Sequence, residues 1–402
     1  VGLVDDASEL SDELARVRRD LHRRPEVGLE LPHTQERVLA ALDGLPLEIE
    51  TGNSLSSVTA VLRGNPGGAA VLLRGDMDAL PVAERVNVPY ASQTGDTMHA
   101  CGHDLHVAML VGAARLLCAH RDKLSGDVVF MFQPGEEGWD GARHMLAEGV
   151  LDAAGRRAAA GYGLHVTSAA IPQGVFASRT GAMLAASDRL DVTVRGAGGH
   201  GASPHRAKDP VPALAEMITG LQTMVTRTFD VFDPVVLTVG VVRAGTRRNI
   251  IPDTASFEAT VRSFSSAAQA RVTDAAVTLV RSVAAAHGLE VDVEYHNEYP
   301  VTATDPAETD FLADTVAEVF GEQRFQRMAN PLTGSEDFSR VLDAIPGSFA
   351  MLGAVPDDVD PAQAAYNHSP WATFDDAVLP DGAALLAELA IRRLAREAAG
   401  AP

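Results

Sequence analysis

The chain has 402 residues, of which 46% are hydrophobic and 22% charged, as expected of a soluble globular protein long enough for two domains. With 33 basic and 54 acidic residues its formal charge is −21, which argues against nucleic acid and anionic membranes as partners. Two cysteines, Cys101 and Cys118, are too few for a disulfide framework and fit a reducing cytoplasm. No apolar run reaches the roughly 18 residues of a membrane span. The start, Val1-Gly2-Leu3-Val4-Asp5-Asp6, lacks the basic and apolar regions of a signal peptide. The first residue is not Met, so removal of an earlier segment stays open. The expectation is a cytoplasmic protein.

Taken along the chain, Leu10, Leu14, Val17 and Leu21 recur at helical spacing, and Pro25 stops that helix. A second helix covers about 34–42. Strands are expected at 57–63 and 69–74, the second running into Gly75-Asp76-Met77-Asp78-Ala79-Leu80-Pro81. After His99-Ala100-Cys101-Gly102-His103-Asp104, residues 105–117 are apolar on nearly every side, as in a buried helix. Residues 126–133 read as a buried strand that ends at Pro134-Gly135-Glu136-Glu137-Gly138, and 161–166 as another. Alternating strands and helices predict an α/β sheet with the polar motifs at its strand ends.

The pattern changes near Ser187. Leu190, Val192 and Val194 alternate as a strand, and 211–225 has helical periodicity. Strands at 235–242 and 254–263, a helix at 267–287 closed by Gly288, and a strand at 291–295 complete the order βαββαβ. That is the split arrangement of a ferredoxin-like sandwich, about 110 residues long and of plausible domain size. Helices resume at 306–320 and 379–397, around a strand at 348–352. The small sandwich thus reads as an insertion into the larger α/β domain.

The chemistry gathers on a few motifs. Cys101 and His103 place a thiol and an imidazole two residues apart before a buried helix, a pairing suited to a transition metal. Glu136 and Glu137 follow a buried strand, where adjacent side chains point to different sides. One can bind metal while its neighbour faces a metal-bound water. His165 ends a strand, and His368 lies in Tyr366-Asn367-His368-Ser369-Pro370. Asp78 is placed to orient a ligand imidazole. Cys101, His103, Glu137, His165 and His368 make five ligands, too many for one tetrahedral zinc and suited to two metal ions. In the insertion, the glycine-rich loop around His200 can expose an electrophilic hydrogen-bond donor. Arg262, on a strand, can take a carboxylate bidentately. Gly334 is a further substrate-binding candidate, in a segment, 334–338, that resembles a capped helix start.

These motifs, from Leu21-His22-Arg23-Arg24-Pro25-Glu26 to His368, resemble those of the dinuclear metallohydrolases that include aminoacylases, carboxypeptidases and succinyl-diaminopimelate desuccinylase. Within that family the chain is most similar to the amidohydrolase branch of hippurate hydrolases, indoleacetyl-amino-acid hydrolases and N-acyl-amino-acid amidohydrolases. The resemblance implies two divalent ions, zinc or manganese with cobalt possible, on the five ligands above. It implies Glu136 as general base. It implies His200 as an oxyanion donor reaching the partner subunit's site across a homodimer. Asn249 and Arg262 fall where the family contacts the substrate α-carboxylate. Other branches carry a ligand histidine where this chain has Asp76, and a bridging aspartate near Cys101.

The expected architecture is therefore a large α/β metallohydrolase domain, 1–186 and 299–402, with an inserted ferredoxin-like lid and dimerisation domain, 187–298. The expected activity is hydrolysis of N-acyl-amino acids to a carboxylic acid and a free amino acid. A dipeptidase or carboxypeptidase with the same metals, and a non-catalytic metal-binding protein, are the alternatives.

Overall fold

The structure, a computed structural model, describes residues 2–400. It divides into two compact units. One comprises the described residues of Val1–Met183, Ala303–Asn330 and Asp337–Pro402; the other comprises Leu184–Thr302 and Pro331–Glu336. Val1, Ala401 and Pro402, the outermost positions of the expected first domain, lie outside the described residues.

The first unit is built on a mixed eight-stranded sheet. Its order is Glu48–Thr51, Val58–Leu62, Asp127–Gln133, Ala70–Asp76, Ala160–Thr167, Gly347–Gly353, Phe176–Ser178 and Phe325–Arg327. The four middle strands run parallel to one another, and every residue in them is buried. Continuous apolar runs such as Asp127–Gln133 follow from this, since a parallel strand covered on both faces has no solvent side to alternate with. The helix His103–Ala119 packs on Ala70–Asp76 and against the helix Leu379–Ala398. Gly112 permits the approach of the two helices: a Cβ there would sit 2.7 Å from Ala383 Cβ.

The second unit holds an antiparallel sheet in the order Val235–Ala244, Thr254–Ser263, Ala186–Arg195, Glu290–Tyr299. The helices Pro210–Thr228 and Ser266–Ala286 pack on it and on each other. Asp209 and Ser265 cap them by accepting from Val211 N and Ala268 N. Ala255, Phe257, Ala259 and Val261 face inward with Val192 and Val194, the alternation expected of a sheet covered on one face. The strand order second-third-first-fourth, with βαββαβ connectivity, is that of a ferredoxin-like sandwich.

Two features depart from the sequence reading. The short strands Glu48–Thr51, Phe176–Ser178, Gly181–Leu184 and Phe325–Arg327 are three or four residues long, too short to carry a period. The capped helix start at 334–338 is also corrected. The helix runs Ser339–Ala344, with Phe338 at its N-cap and no side-chain cap bond. Asp337 is fully buried and serves a different helix, accepting from Ala142 N at 2.9 Å.

Candidate metal centre

The parallel strands of the first unit deliver the site at their C-terminal ends, where open α/β sheets carry ligands. Ala70–Asp76 leads to Asp78, Asp127–Gln133 leads to Glu136 and Glu137, and Ala160–Thr167 contains His165. Cys101 and His103 lie at the start of the helix His103–Ala119, behind Gly102 in the left-handed conformation (φ 81°). Any side chain there would meet Val166, since a Cβ would lie 2.4 Å from Val166 Cγ2. His368 comes from the loop before the last helix, also at positive φ (71°), its amide held by Ala100 O at 2.8 Å.

The five residues expected as ligands converge. Cys101 Sγ lies 3.4 Å from His165 Nε2, and His368 Nε2 lies 3.1 Å from Glu137 Oε1. His103 Nε2 is 4.0 Å from that same Glu137 oxygen. Cys101 belongs to two groups of mutually close ligand atoms, one with His103 and His165 and one with Glu137 and His368; Glu136 groups with His103 and Glu137. Both nitrogens of His103 are buried without a hydrogen-bond partner. Polar atoms in that state are costly unless something coordinates them. A soft thiolate, imidazoles and a carboxylate around such atoms fit a divalent transition metal. Two overlapping groups fit a pair of ions.

Electrostatics agree. Burial and the neighbouring His106 hold His165 well below the usual imidazole range, so it is neutral, the state in which an imidazole can ligate a metal. Its Nδ1 bonds Val166 O at 2.8 Å, which leaves Nε2 for the metal. Glu137 is held below the usual carboxylate range against the opposing effect of burial, by the His368 hydrogen bond and the charge of His103. His368 is pushed up to about 10 by Cys101 and then Glu137. This cluster therefore attracts positive charge, which a metal ion supplies.

Asp78 accepts the backbone amides of Glu136 (2.9 Å) and Glu137 (3.0 Å), and its Oδ1 lies 3.5 Å from His103 Nδ1. Both carboxylates of the pair are thus aimed by one buried aspartate.

Several supporting residues escaped the sequence reading. Asp76 bonds His106 Nδ1 at 2.5 Å and lies 3.3 Å from His103 Nε2. His106 Nε2 accepts from Val166 N at 2.8 Å, which assigns its proton to Nδ1. Fully buried Arg74 donates to Gln133, Asp76 and Asp337. Asn367 links the ligand loops, donating to Cys101 O and Val166 O and accepting from Ser168 N. The only signals were Asn367 beside His368, and His106 one residue beyond His103-Asp104-Leu105.

The remaining candidates belong to the second unit. His200, exposed on the strand Gly199–His200, accepts from Ala202 N through Nδ1 at 3.1 Å. Its Nε2 therefore carries the proton and can donate. Asn249 is exposed, with its carbonyl accepting from Gly201 N at 2.9 Å. Arg262 is half-buried, and Nη1 donates to Ser187 Oγ, Thr260 Oγ1 and Val261 O. Burial pulls its pKa down against Glu298 and Asp188. Gly334 is exposed and accepts from Ala185 N at 2.9 Å.

An α/β sheet with a cluster suited to two ions and a second buried glutamate beside it is the arrangement of a metal-dependent hydrolase. The profile of Peptidase family M20/M25/M40 matches residues 72–392, and the chain belongs to that family. It is 35% identical over 394 residues to thermostable carboxypeptidase 2 of Saccharolobus solfataricus, covering 97% of this chain and 98% of the relative. It is 35% identical to the N-acetyl-L-cysteine deacetylase of Bacillus subtilis, covering 96% and 89%. Among solved structures it is similar to a Bacillus subtilis protein described as a dinuclear metal binding peptidase from the M20 family. That match has a TM-score of 0.82 and 31% identity, covering 96% of this chain and 99% of the other.

Proposed function

We propose that the protein is an amidohydrolase cleaving N-acyl-amino acids to a carboxylic acid and a free amino acid. The observation that carries this reading is the Glu136-Glu137 pair, whose two amides are pinned by Asp78. Glu137 turns into the ligand cluster and leaves Glu136 as an adjacent buried carboxylate. The bound metals, Cys101, His103, Glu137, His165 and His368 holding them, would acidify a water and polarise the amide carbonyl. Glu136 takes the proton of the attacking water and passes it to the leaving amine, so it ends as it began. The Nε2–H of His200 is the hydrogen-bond donor to the tetrahedral oxyanion. Asn249, Arg262 and Gly334 bind the substrate's amino-acid half. In this reading 1–186 and 299–402 carry the metals, and 187–298 is a lid and dimerisation domain. The working form is a cytoplasmic homodimer in which His200 serves the partner subunit's site. Thiolate ligation favours zinc, with manganese or cobalt as the other candidates.

Glu136→Gln should keep both metals and lose roughly 100–10,000-fold in turnover, the usual contribution of a general base. Metal analysis with hydrolysis of an acyl-amino-acid panel tests it. Wild-type rates in that variant would overturn the mechanism. The carboxypeptidase relative supports a second reading, peptide hydrolysis at the same centre. Faster turnover of dipeptides than of acyl-amino acids would favour that reading.

A further inference from the structure

The strand Ala160–Thr167 carries the ligand candidate His165 past the end of one neighbouring strand. Its pairing with Ala70–Asp76 stops where Arg74 lies opposite Gly163. A buried main-chain N–H beyond that point needs another partner. Val166, fully buried, finds one in a side chain: its N–H donates to His106 Nε2 at 2.8 Å. Its carbonyl accepts from His165 Nδ1 at 2.8 Å and from Asn367 Nδ2 at 3.0 Å. Side chains thus hold both polar groups of Val166, and one of those side chains is the ligand candidate itself.

The partners of His106 fix its proton. A backbone N–H can only donate, so Nε2 accepts and Nδ1 carries the hydrogen. Nδ1 lies 2.5 Å from Asp76 Oδ1, and fully buried Arg74 donates to Asp76 Oδ2 at 2.9 Å. A polar chain therefore runs from Arg74 through Asp76 and His106 to Val166, and from there to His165. His106 is close enough to Asp76 and His103 to share an ion with them. Both of its nitrogens are already committed, however, so it is not a sixth ligand. Its ring packs on both ligand imidazoles instead. It stacks on His103 with centroids 5.2 Å apart and meets His165 edge-on at 4.7 Å.

We propose that His106 is a positioning residue of the metal centre. Held in one tautomer by Asp76, it fixes the Val166 backbone, which orients the His165 ring and leaves its Nε2 for the metal. This rests on the metal centre and not on the choice of substrate.

His106→Leu leaves Val166 N and Asp76 without this partner. It should weaken binding of one of the two ions about 10–100-fold, the range for residues behind metal ligands, as read by chelator competition. At saturating cobalt(II) the visible absorption of the folded variant should also differ from wild type, because it reports ligand geometry; a loss of stability alone does not change it. His106→Gln keeps an oxygen able to accept from Val166 N and should lose less affinity than His106→Leu. Wild-type affinity for both ions with a wild-type cobalt spectrum in folded His106→Leu would overturn the proposal. NMR of isotope-labelled histidine rings in the unaltered, metal-loaded protein decides the matter even where the leucine variant does not fold. His106 should show the Nδ1–H tautomer with Nε2 free of metal. An Nε2–H tautomer or a metal-bound His106 nitrogen would overturn the proposal. Wild-type protein that binds no divalent ion would remove the metal centre and this role of His106 with it.

Discussion

Asp78→Asn is the most demanding test of how the site is built. Asp78 is buried, and each of its oxygens accepts one backbone amide, from Glu136 at 2.9 Å and Glu137 at 3.0 Å. Asparagine has the same shape but only one acceptor. In either flip its NH2 group faces an N–H, so one amide loses its acceptor. A charge-assisted bond contributes about 1.5–3 kcal/mol, and a buried orphaned donor costs about 1–3 kcal/mol. Both describe the same contact, so about 2 kcal/mol is the reasonable loss, roughly 30-fold in an equilibrium. The loss falls on the orientation of Glu136 and Glu137 and on the field at His103, 3.5 Å away. Metal affinity should drop within the roughly 10–100-fold range known for residues behind metal ligands. Turnover at saturating metal should fall as well, because the base is misaimed. Chelator competition gives the first quantity and steady-state kinetics the second. Wild-type metal affinity together with wild-type kcat would refute the argument that Asp78 organises the glutamate pair.

Arg74→Met strips the cation from two buried carboxylates, Asp76 and Asp337. The expected loss is about 3–5 kcal/mol of stability, read by urea unfolding; a loss under 1 kcal/mol would contradict the network. His22 is buried with Nδ1 2.8 Å from Asp104 and Nε2 3.2 Å from Glu84. Burial opposes its charge, but Asp104 outweighs it and raises the pKa above 6.5. The folded state then holds this proton more tightly than the unfolded chain. Its stabilisation is fully present below about pH 6.5 and fades as pH rises through the raised value. His22→Asn should therefore flatten the fall of Tm above pH 6.5, and parallel Tm curves would count against the assignment. Peroxide treatment of the metal-free protein should block its reactivation by added metal, through oxidation of Cys101. Burial pushes the Cys118 thiol up to about 11, so mass spectrometry should find oxidation at Cys101 and little at Cys118. Full activity on remetallation after complete oxidation of Cys101 would remove the thiol from the ligand set.

Along the chain, the long elements were legible because their residues are periodic or uniformly apolar. The helix expected at 306–320 is observed at Pro306–Phe320, and the strand expected at 254–263 at Thr254–Ser263. The motifs around Cys101, Glu136, His165 and His368 stood out because ligand-type residues cluster at strand ends. What did not stand out was what holds them. Asp337 read as a helix cap because Gly334-Ser335-Glu336-Asp337 has the right local chemistry. Its carboxylate instead meets Arg74 and Gln133, 263 and 204 residues away in sequence. Asn367 likewise ties together segments that begin at Cys101, Val166 and Ser168.

The sequence by itself determined which residue types are available for metal and proton chemistry, and which segments must be strands and helices, since both follow from composition and period over a few neighbouring residues. Only the tertiary structure decided that one aspartate aims two glutamates and that Cys101 stands between two ligand groups. Those depend on buried charges finding partners across the sheet, and a side chain taken out of water accepts whichever donor the fold brings to it.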